Sequence, residues 1–330
     1  MLHRLTALGL RPFLAASPAR TAAPPLSAPS TSRFSTSTAA MSTYSRLVRF
    51  LPASSSKPVI GEPVNADQDV GLATYAGEPV EVEVFSGQSV LNPGERTGRK
   101  EIIGKLLSPL AQAEVGTIRC IGLNYLNHAH EVNMAIPTVP VLFMKPSTAL
   151  ADPHPAPTLI PKAFIKDDAA DYESEVAVVI GKACKNVSEE EAMDYVLGYT
   201  AANDVSSRAA QFAQSQWCYS KSFDGACPLG PALIHKDAVK SIAELKIRGS
   251  LSGNTVQESN LDDLIFSIPR IVSFLSQGTT LPAGTVILTG TPAGVGWSAS
   301  PRKLLKDGDE FRVFVSHGVG TLINKIVEEK

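Results

Sequence analysis

Short runs rich in valine, isoleucine and leucine recur along most of the chain, and they constrain its fold more than any other feature. Runs of this kind, bounded by turn-forming residues, predict β-strands. Two segments have helical patterns instead: Ser188 and Glu191 form a capping box that predicts a helix to about Leu197, and 268–275 has one apolar face, ended by Gly278. Strands outnumber helices and do not alternate with them regularly, which disfavours a doubly wound parallel sheet and predicts a β-rich α+β fold. The predicted strands after residue 107 are 117–122, 141–145, 173–181, 245–251, 285–290, 310–315 and 320–327.

The chain divides into three parts along its length. Residues 44–107 contain short, broken strand-like pieces, of which 80–85 alternates apolar and polar residues as a half-buried strand does. We therefore predict a small N-terminal domain over residues 41–107 and a larger domain over 108–330, a division in keeping with a chain of 330 residues. Residues 1–40 differ from both parts and are predicted to lie outside the fold.

The first forty residues have the composition of a targeting segment. They are rich in Arg, Ser, Ala and Pro, and the first acidic residue of the whole chain is Glu62. An arginine-rich and serine-rich stretch without acids is typical of a mitochondrial presequence, so a location in the matrix is predicted. A secretory signal needs an uninterrupted apolar stretch, which Arg11 breaks, and a disordered tail without function is the other alternative. Met41 could serve as a second start and give a cytosolic form.

Charge and cysteine spacing exclude several classes of partner and site. The formal net charge is −2 and there is no block of like charges, so neither nucleic acid nor an anionic membrane surface is a predicted partner. No apolar run is long enough to span a bilayer. The four cysteines form no C-x-x-C pair and no zinc-type spacing, so we predict that they pack as small apolar groups in a reducing compartment.

An acidic pair at the start of one predicted strand is the first candidate for chemistry. Glu173 and Glu175 are two residues apart, so their side chains project from the same face of that strand. Neighbouring carboxylates that lead into an apolar run repel each other, and a divalent cation that prefers oxygen ligands would relieve the repulsion; a solvated strand end is the alternative. Asp204 follows another predicted strand and is either a third ligand or the cap of the next helix.

A histidine, a lysine and a glycine-rich loop are further candidates. His128 and Glu131 share a face of a helical turn, so they could form a general base with its orienting carboxylate; an incidental surface ion pair is the alternative. Lys221 precedes a glycine-containing loop. Residues 289–296 follow a strand and offer backbone N–H groups to a carboxylate or phosphate, although they match no nucleotide-binding motif and an ordinary turn is the alternative.

Several blocks of the sequence, in this order, resemble the fumarylacetoacetate hydrolase family. They are IGLNYLNHAHE, VLFMKPSTA, YESEVAVVIGK, NDVSSR, KSFDGACPLGP and ILTGTPAGVG, and the similarity runs from about Ile118 to Ile326. The resemblance implies a β-roll catalytic domain, usually in a homodimer, with Mg²⁺ or Mn²⁺ in the site.

The resemblance also implies a role for individual residues. The positions are Glu173, Glu175 and Asp204 as metal ligands, His128 and Glu131 as the dyad, Lys221 as the group that stabilises enolate charge, and Gln211 and Thr291 as contacts to the substrate or its closing lid.

The family resemblance leaves the reaction open among several conversions of 2-oxo acids. Members hydrolyse acylpyruvates, decarboxylate oxaloacetate, or interconvert its keto and enol forms. Hydrolases of the first group usually carry Arg where this chain has Leu123, and the C-terminal blocks and the presequence are closer to the mitochondrial tautomerase-like branch. We therefore expect a tautomerase that acts on a small 2-oxo dicarboxylate, with hydrolase or decarboxylase as alternatives. A non-catalytic binding protein that keeps the fold is the alternative from another class.

Overall fold

Eighteen β-strands and six short α-helices make up the computed structural model, which describes residues 44–165 and 170–330. The helices are α1 (Val70–Tyr75), α2 (Leu126–Glu131), α3 (Lys162–Ile165), α4 (Arg208–Phe212), α5 (Cys218–Lys221) and α6 (Ile268–Ser276). The strands are β1 (Arg46–Pro52), β2 (Val59–Pro63), β3 (Glu81–Phe85), β4 (Arg96–Leu107), β5 (Thr117–Gly122), β6 (Val141–Pro146), β7 (Leu150–Ala151), β8 (Thr158–Ile160), β9 (Ala170–Asp171), β10 (Ser174–Ile180), β11 (Val196–Asn203), β12 (Ser206–Ser207), β13 (Cys227–His235), β14 (Lys246–Leu251), β15 (Asn254–Asn260), β16 (Val286–Leu288), β17 (Glu310–Val315) and β18 (Gly320–Glu328).

The predicted β-rich α+β class is confirmed. The presequence prediction for residues 1–40 lies outside the described residues. No helix in the described ranges is long and apolar enough to cross a membrane. All four cysteines are free and three of them are buried, as predicted for small apolar packing groups.

The largest sheet carries the functional residues described below. Its strands follow the order β2-β3-β4-β1-β13-β11-β10-β16-β5-β6, and β16 and β5 are the parallel pair on this path. The middle strands β10, β11 and β13 are almost entirely buried, because β-branched and small residues occupy both of their faces. These strands pack against a second sheet of order β15-β14-β17-β18-β8. Tyr172 and Phe311 stack between the two sheets, with ring centroids 4.5 Å apart.

The N-terminal strands form a closed ring. β1 pairs with β2, β2 with β3, β3 with β4, and β4 with β1 again, around an apolar interior that includes Phe50, Val82 and Leu106. Gly61 permits this closure, because a Cβ there would lie 2.3 Å from the carbonyl oxygen of Glu83. The start of β1 also pairs with β13, so this strand joins the ring to the main sheet. The domain boundary at residue 107 stays a prediction.

The two helix predictions have different outcomes. α6 is confirmed: Ser267 accepts a hydrogen bond from the Arg270 N–H at its start, and its apolar face is buried. The helix predicted from Ser188 to Leu197 is wrong. Ser188 and Glu191 do exchange capping hydrogen bonds, but only a 3₁₀ turn follows at Ala192–Asp194. The chain then enters β11, whose pairing with β10 supplies backbone hydrogen bonds that a longer helix would forgo.

We predict that Asp69→Ala destabilises the junction between the ring and the second sheet. The Asp69 carboxylate caps α1 through the Leu72 N–H (3.0 Å) and accepts from the N–H (3.0 Å) and hydroxyl (2.6 Å) of Thr321 in β18. Losing a helix cap and two further hydrogen bonds should lower the free energy of unfolding by about 2 kcal/mol in urea titrations. The exposed neighbour Asp67→Ala is the control. Equal midpoints for both variants would contradict the assignment.

Candidate active site

Three carboxylates meet where β10 begins and β11 ends. Because Ser174 pairs with Asn203, Glu173 and Asp204 lie side by side, and the Asp204 N–H donates to the Glu173 carbonyl at 2.9 Å. One oxygen from each of Glu173, Glu175 and Asp204 lies within 4.8 Å of the others. All three side chains are buried, so the alternative of a solvated strand end is wrong. The alternative that Asp204 caps a helix is also wrong, because α4 begins after Ser207.

Two buried lysines neutralise part of this acidic cluster. Lys221 Nζ lies 2.8 Å from Glu173 Oε2 and 2.8 Å from Asp204 Oδ2. Burial lowers the pKa of Lys221, but Asp204 and Glu173 outweigh burial, so the pKa is raised and the side chain is cationic. Lys145 Nζ lies 2.6 Å from Asp204 Oδ1 and donates to the carbonyls of Val205, Lys221 and Ala226. Burial also raises the pKa of Glu173, but Lys221 and Arg208 outweigh it and bring the pKa to about 2.

Glu175 is less well compensated, because within the described residues it has no ion-pair partner and Lys221 offsets only part of its burial. Its Oε2 accepts from the Gly290 N–H at 2.5 Å, and no basic side chain is paired with it there. Burial, and next the charges of Asp204 and Glu173, raise the pKa of Glu175 well above its ordinary value. Asp204 Oδ1 touches Lys145 but makes no hydrogen bond of ordinary geometry. An all-oxygen donor set with an uncompensated carboxylate fits a hard divalent cation held by Glu173, Glu175 and Asp204.

A buried arginine borders the cluster. Arg208 Nη1 lies 2.7 Å from Glu173 Oε1 and 2.9 Å from Gln211 Oε1, and its Nε donates to Asp171 Oδ2 at 2.8 Å. Its Nη2 has no hydrogen-bond partner in the part of the chain that the structure describes. Arg208 also lines a cavity, so its guanidinium lies at the wall of that cavity, with Nη2 itself buried.

His128 and Glu131 form the predicted dyad on α2. His128 Nδ1 lies 2.8 Å from Glu131 Oε2, while Glu131 Oε1 accepts from the Gly294 N–H at 2.9 Å. With Nδ1 engaged, Nε2 is the ring nitrogen left for a substrate. Gly294 has φ +107°, and a Cβ there would lie 1.9 Å from the Val256 carbonyl oxygen, so only glycine allows this loop to reach Glu131.

The segment that leads into α2 is held in place by hydrogen bonds of the Asn124 side chain. Asn124 is fully buried, donates to the carbonyls of Thr289 (2.7 Å) and Phe266 (3.2 Å), and accepts from the Phe266 N–H at 2.8 Å. Leu123 before it adopts φ +51°, which is uncommon for a leucine and turns its side chain into the cavity wall. The hydrogen bonds of Asn124 hold this turn and so set the position of His128.

One cavity of about 630 Å³ brings the predicted residues together. Glu175 and Asp204 are buried and do not line it. The Thr291 hydroxyl already donates to the Ser174 carbonyl (3.0 Å) and accepts from Gln257 (2.8 Å), so its predicted role in substrate contact stays a prediction. The predicted residues that line the cavity are His128, Glu131, Glu173, Gln211, Lys221 and Thr291.

Aromatic side chains form much of the remaining cavity wall. Phe143 and Trp217 meet edge to face with centroids 5.7 Å apart, and Phe212 lies 5.4 Å from Trp297. Gly122 lies under the indole, because a Cβ there would be 2.4 Å from the Trp217 ring. The cavity therefore has an aromatic wall beside its charged groups, and Lys221 Nζ lies 4.9 Å from the centroid of the Phe143 ring.

A larger cavity, of about 750 Å³, lies at the ring and contains none of the predicted residues. Its charged groups, such as Arg96 with Glu62 and Glu83, are paired with each other. We therefore place the active site in the smaller cavity.

Sequence reasoning missed Lys145, Arg208 and Asp171. Lys145 had a usable signal, because it lies two residues after Phe143 on the inward face of β6, where an apolar residue is expected. Arg208 and Asp171 had none: an arginine in the first turn of a helix and an aspartate before a strand are ordinary surface choices. Only the pairing of β9 with β12 brings the two together.

Comparison with known proteins gives consistent matches. The profile of the "Fumarylacetoacetate (FAA) hydrolase C-terminal" family matches residues 117–327. A caffeoylpyruvate hydrolase of Neonothopanus nambi is 45% identical over 293 residues, which is 88% of this chain and 95% of that protein. A mitochondrial oxaloacetate tautomerase of Xenopus laevis is 37% identical, over 86% of this chain and 90% of that protein. Among solved structures, 5-carboxymethyl-2-hydroxymuconate delta-isomerase from Mycobacterium smegmatis superposes with a TM-score of 0.71 at 30% identity, covering 86% of this chain and all of that one.

We predict that Glu175→Gln stabilises the metal-free protein and removes cation binding. The change removes the cost of burying the Glu175 carboxyl beside Glu173 and Asp204, in either protonation state, while keeping an acceptor for Gly290, so the unfolding free energy without metal should rise by about 1 kcal/mol or more. A divalent cation at a hundredfold excess over its Kd should raise the unfolding free energy of the wild type by about 2.7 kcal/mol. It should leave the unfolding free energy of the variant unchanged. Chemical denaturation and calorimetric titration measure both effects.

The exposed Glu78→Gln is the matched control, expected to bind the cation as the wild type does. Undiminished cation binding by Glu175→Gln would rule out the three-carboxylate site.

Proposed function

This chain belongs to the fumarylacetoacetate hydrolase family, and we propose that within it the enzyme interconverts the keto and enol forms of oxaloacetate in mitochondria. The observation that carries the proposal is the convergence of a proton-transfer pair, His128–Glu131, with Glu173, Lys221 and Arg208 in one cavity. Relatives named as mitochondrial oxaloacetate tautomerases support the reaction and the location.

The residues around the cavity divide the work of binding and proton transfer. The Arg208 guanidinium at the cavity wall would bind the substrate carboxylate. His128, with its Nδ1 proton held by Glu131, takes the C3 proton at Nε2. Lys221 keeps a positive charge beside the reacting oxygen and can supply a proton to it. A divalent cation, Mg²⁺ or Mn²⁺, bound by Glu173, Glu175 and Asp204 would supply Lewis-acid stabilisation of enolate charge.

Hydrolysis of acylpyruvates is the second candidate, and the aromatic wall of the cavity favours it. A four-carbon dicarboxylate has no apolar group to pack against Trp217 and Trp297, whereas an apolar acyl group would pack against them. Leu123 adds to this apolar surface, but it occupies the position where the family resemblance implies arginine in acylpyruvate hydrolases, which counts against this candidate. The relative named caffeoylpyruvate hydrolase supports the same alternative. In hydrolysis the His128–Glu131 pair would activate water instead of taking a C3 proton.

We also propose that the enzyme is a homodimer. Strand β6 lies at one edge of the main sheet, and exposed apolar residues of β6 and of the loop before it form a surface that we call the apolar edge surface. An open strand edge with apolar side chains is a ready site for pairing with a second copy. The surface consists of Met134, Ile136, Val139, Val141, Leu142 and Met144.

The reaction is tested with a substrate panel. Pure protein with Mg²⁺ is assayed for enol-oxaloacetate decay by absorbance, for oxaloacetate decarboxylation and for acylpyruvate cleavage. We expect tautomerisation well above the spontaneous rate, with little of the other two. His128→Ala should lower kcat by about 100-fold or more, because it removes the general base.

The control is His130→Ala, an exposed neighbour on the same helix that lies outside the dyad. Acylpyruvate cleavage as the dominant activity would replace the tautomerase proposal with the hydrolase. A normal rate in His128→Ala would remove the dyad from the mechanism.

We predict that Leu142→Glu converts the dimer to a monomer in sedimentation velocity. A charge at the centre of the apolar edge surface would be desolvated without a partner on assembly. Leu159→Glu is the matched control, because Leu159 is also 40% exposed and lies on β8, the edge strand of the second sheet. A dimer that survives Leu142→Glu, or is lost only in Leu159→Glu, would place the interface elsewhere.

A further inference from the structure

Asp171 is a fully buried carboxylate that contacts neither the acidic cluster nor the cavity. Its Oδ1 accepts from the N–H groups of Tyr172 (3.0 Å) and Gly296 (2.9 Å). Its Oδ2 accepts from the Trp297 N–H (3.0 Å) and from Arg208 Nε (2.8 Å). Four donors converge on one side chain, so Asp171 is held in a single position.

The two groups that meet at Oδ2 belong to different segments of the cavity wall. Arg208 is paired with Glu173 and lines the cavity. Trp297 ends the glycine-rich loop, and that loop supplies the Gly294 N–H that orients Glu131. Tyr172 also binds this loop, because its hydroxyl donates to the Gly294 carbonyl at 3.2 Å.

The loop has little freedom to absorb a shift. A Cβ on Gly294 would lie 1.9 Å from the Val256 carbonyl oxygen, and one on Gly296 would lie 2.2 Å from that of Lys303. A displacement of the loop at Gly296 is therefore passed along the chain to Gly294, because the packed backbone on either side leaves it no room to bend.

We propose that Asp171 is a positioning residue that sets the distance between Arg208 and the His128–Glu131 pair, and so aligns the substrate carboxylate with the group that moves its proton. The alignment of a substrate rests on the proposed function, whereas the mechanical coupling of Arg208 to Glu131 through Asp171 does not. Asp171 touches no reacting atom and acts only through these two groups.

The test is Asp171→Asn in the full-length protein, read by amide hydrogen exchange at single residues. Asparagine keeps an acceptor for Tyr172 and Gly296 but offers an N–H to Arg208 and Trp297, which are themselves donors. We expect exchange at Trp297 and at Gly294 to accelerate on the order of tenfold, although Gly294 does not contact Asp171. The Gly290 amide, which donates to Glu175, should exchange as in the wild type.

Asp152→Asn is the matched control, because Asp152 accepts a backbone hydrogen bond from Ser108 away from the cavity. It should leave exchange at Gly294 unchanged. If Asp171→Asn does not fold, Arg208→Lys breaks the same contact from the other side and should accelerate Gly294 in the same way. Normal exchange at Gly294 in the variant that folds, or equal acceleration at Gly290, would overturn the proposal in favour of a merely local or structural role.

The kinetic arm uses whichever substrate the panel identifies. Asp171→Asn should raise KM about tenfold through Arg208, and lower kcat on the order of 100-fold through the dyad. In a Glu131→Gln background the kcat effect should disappear while the KM effect persists. Multiplicative losses of kcat in the double variant would overturn the coupling. A failure of the proposed function appears separately, as no turnover of any panel substrate alongside the expected exchange pattern.

Discussion

The burial of several negative charges at one strand junction is the constraint on which the rest of the site depends. Glu173, Glu175 and Asp204 lie among apolar strands, where an unpaired carboxylate is costly. Lys145 and Lys221 extend from two other elements to meet them, and Arg208 approaches Glu173 from a third. The elements that carry these bases are thereby fixed relative to β10 and β11. These basic groups leave part of the negative charge uncompensated, chiefly at Glu175, and a divalent cation would neutralise that remainder.

The sequence predicted those parts of the fold and site that depend on local periodicity. Two-residue spacing put Glu173 and Glu175 on one face, three-residue spacing put His128 beside Glu131, and the apolar pattern of α6 was correct. The helix after Ser188 failed because its local signal, a real capping box, was overridden by the pairing of β11 with β10.

Contacts between distant segments were beyond this reasoning. The residues around Asp204 left a helix cap and a metal ligand as alternatives, and nothing in them indicated the contact with Lys145, 59 residues earlier in the chain. Asp171 and Arg208 carried no signal, since an ion pair across 37 residues depends on the register of two short strands. The substrate could not be predicted for the same reason. The aromatic wall of the cavity is formed by residues that no single motif contains, namely Phe143, Phe212, Trp217 and Trp297.

The described fold begins at Tyr44, and β1 begins at Arg46, shortly after Met41. Since β1 is shared by the ring and the main sheet, its loss would open both structures at once, so the chain tolerates a new beginning only upstream of this strand. A polypeptide initiated at Met41 would contain every described strand and every residue of the site. Cleavage or initiation before Arg46 would thus leave the described strands and the site complete, whereas a start within β1 would remove part of both sheets' shared strand.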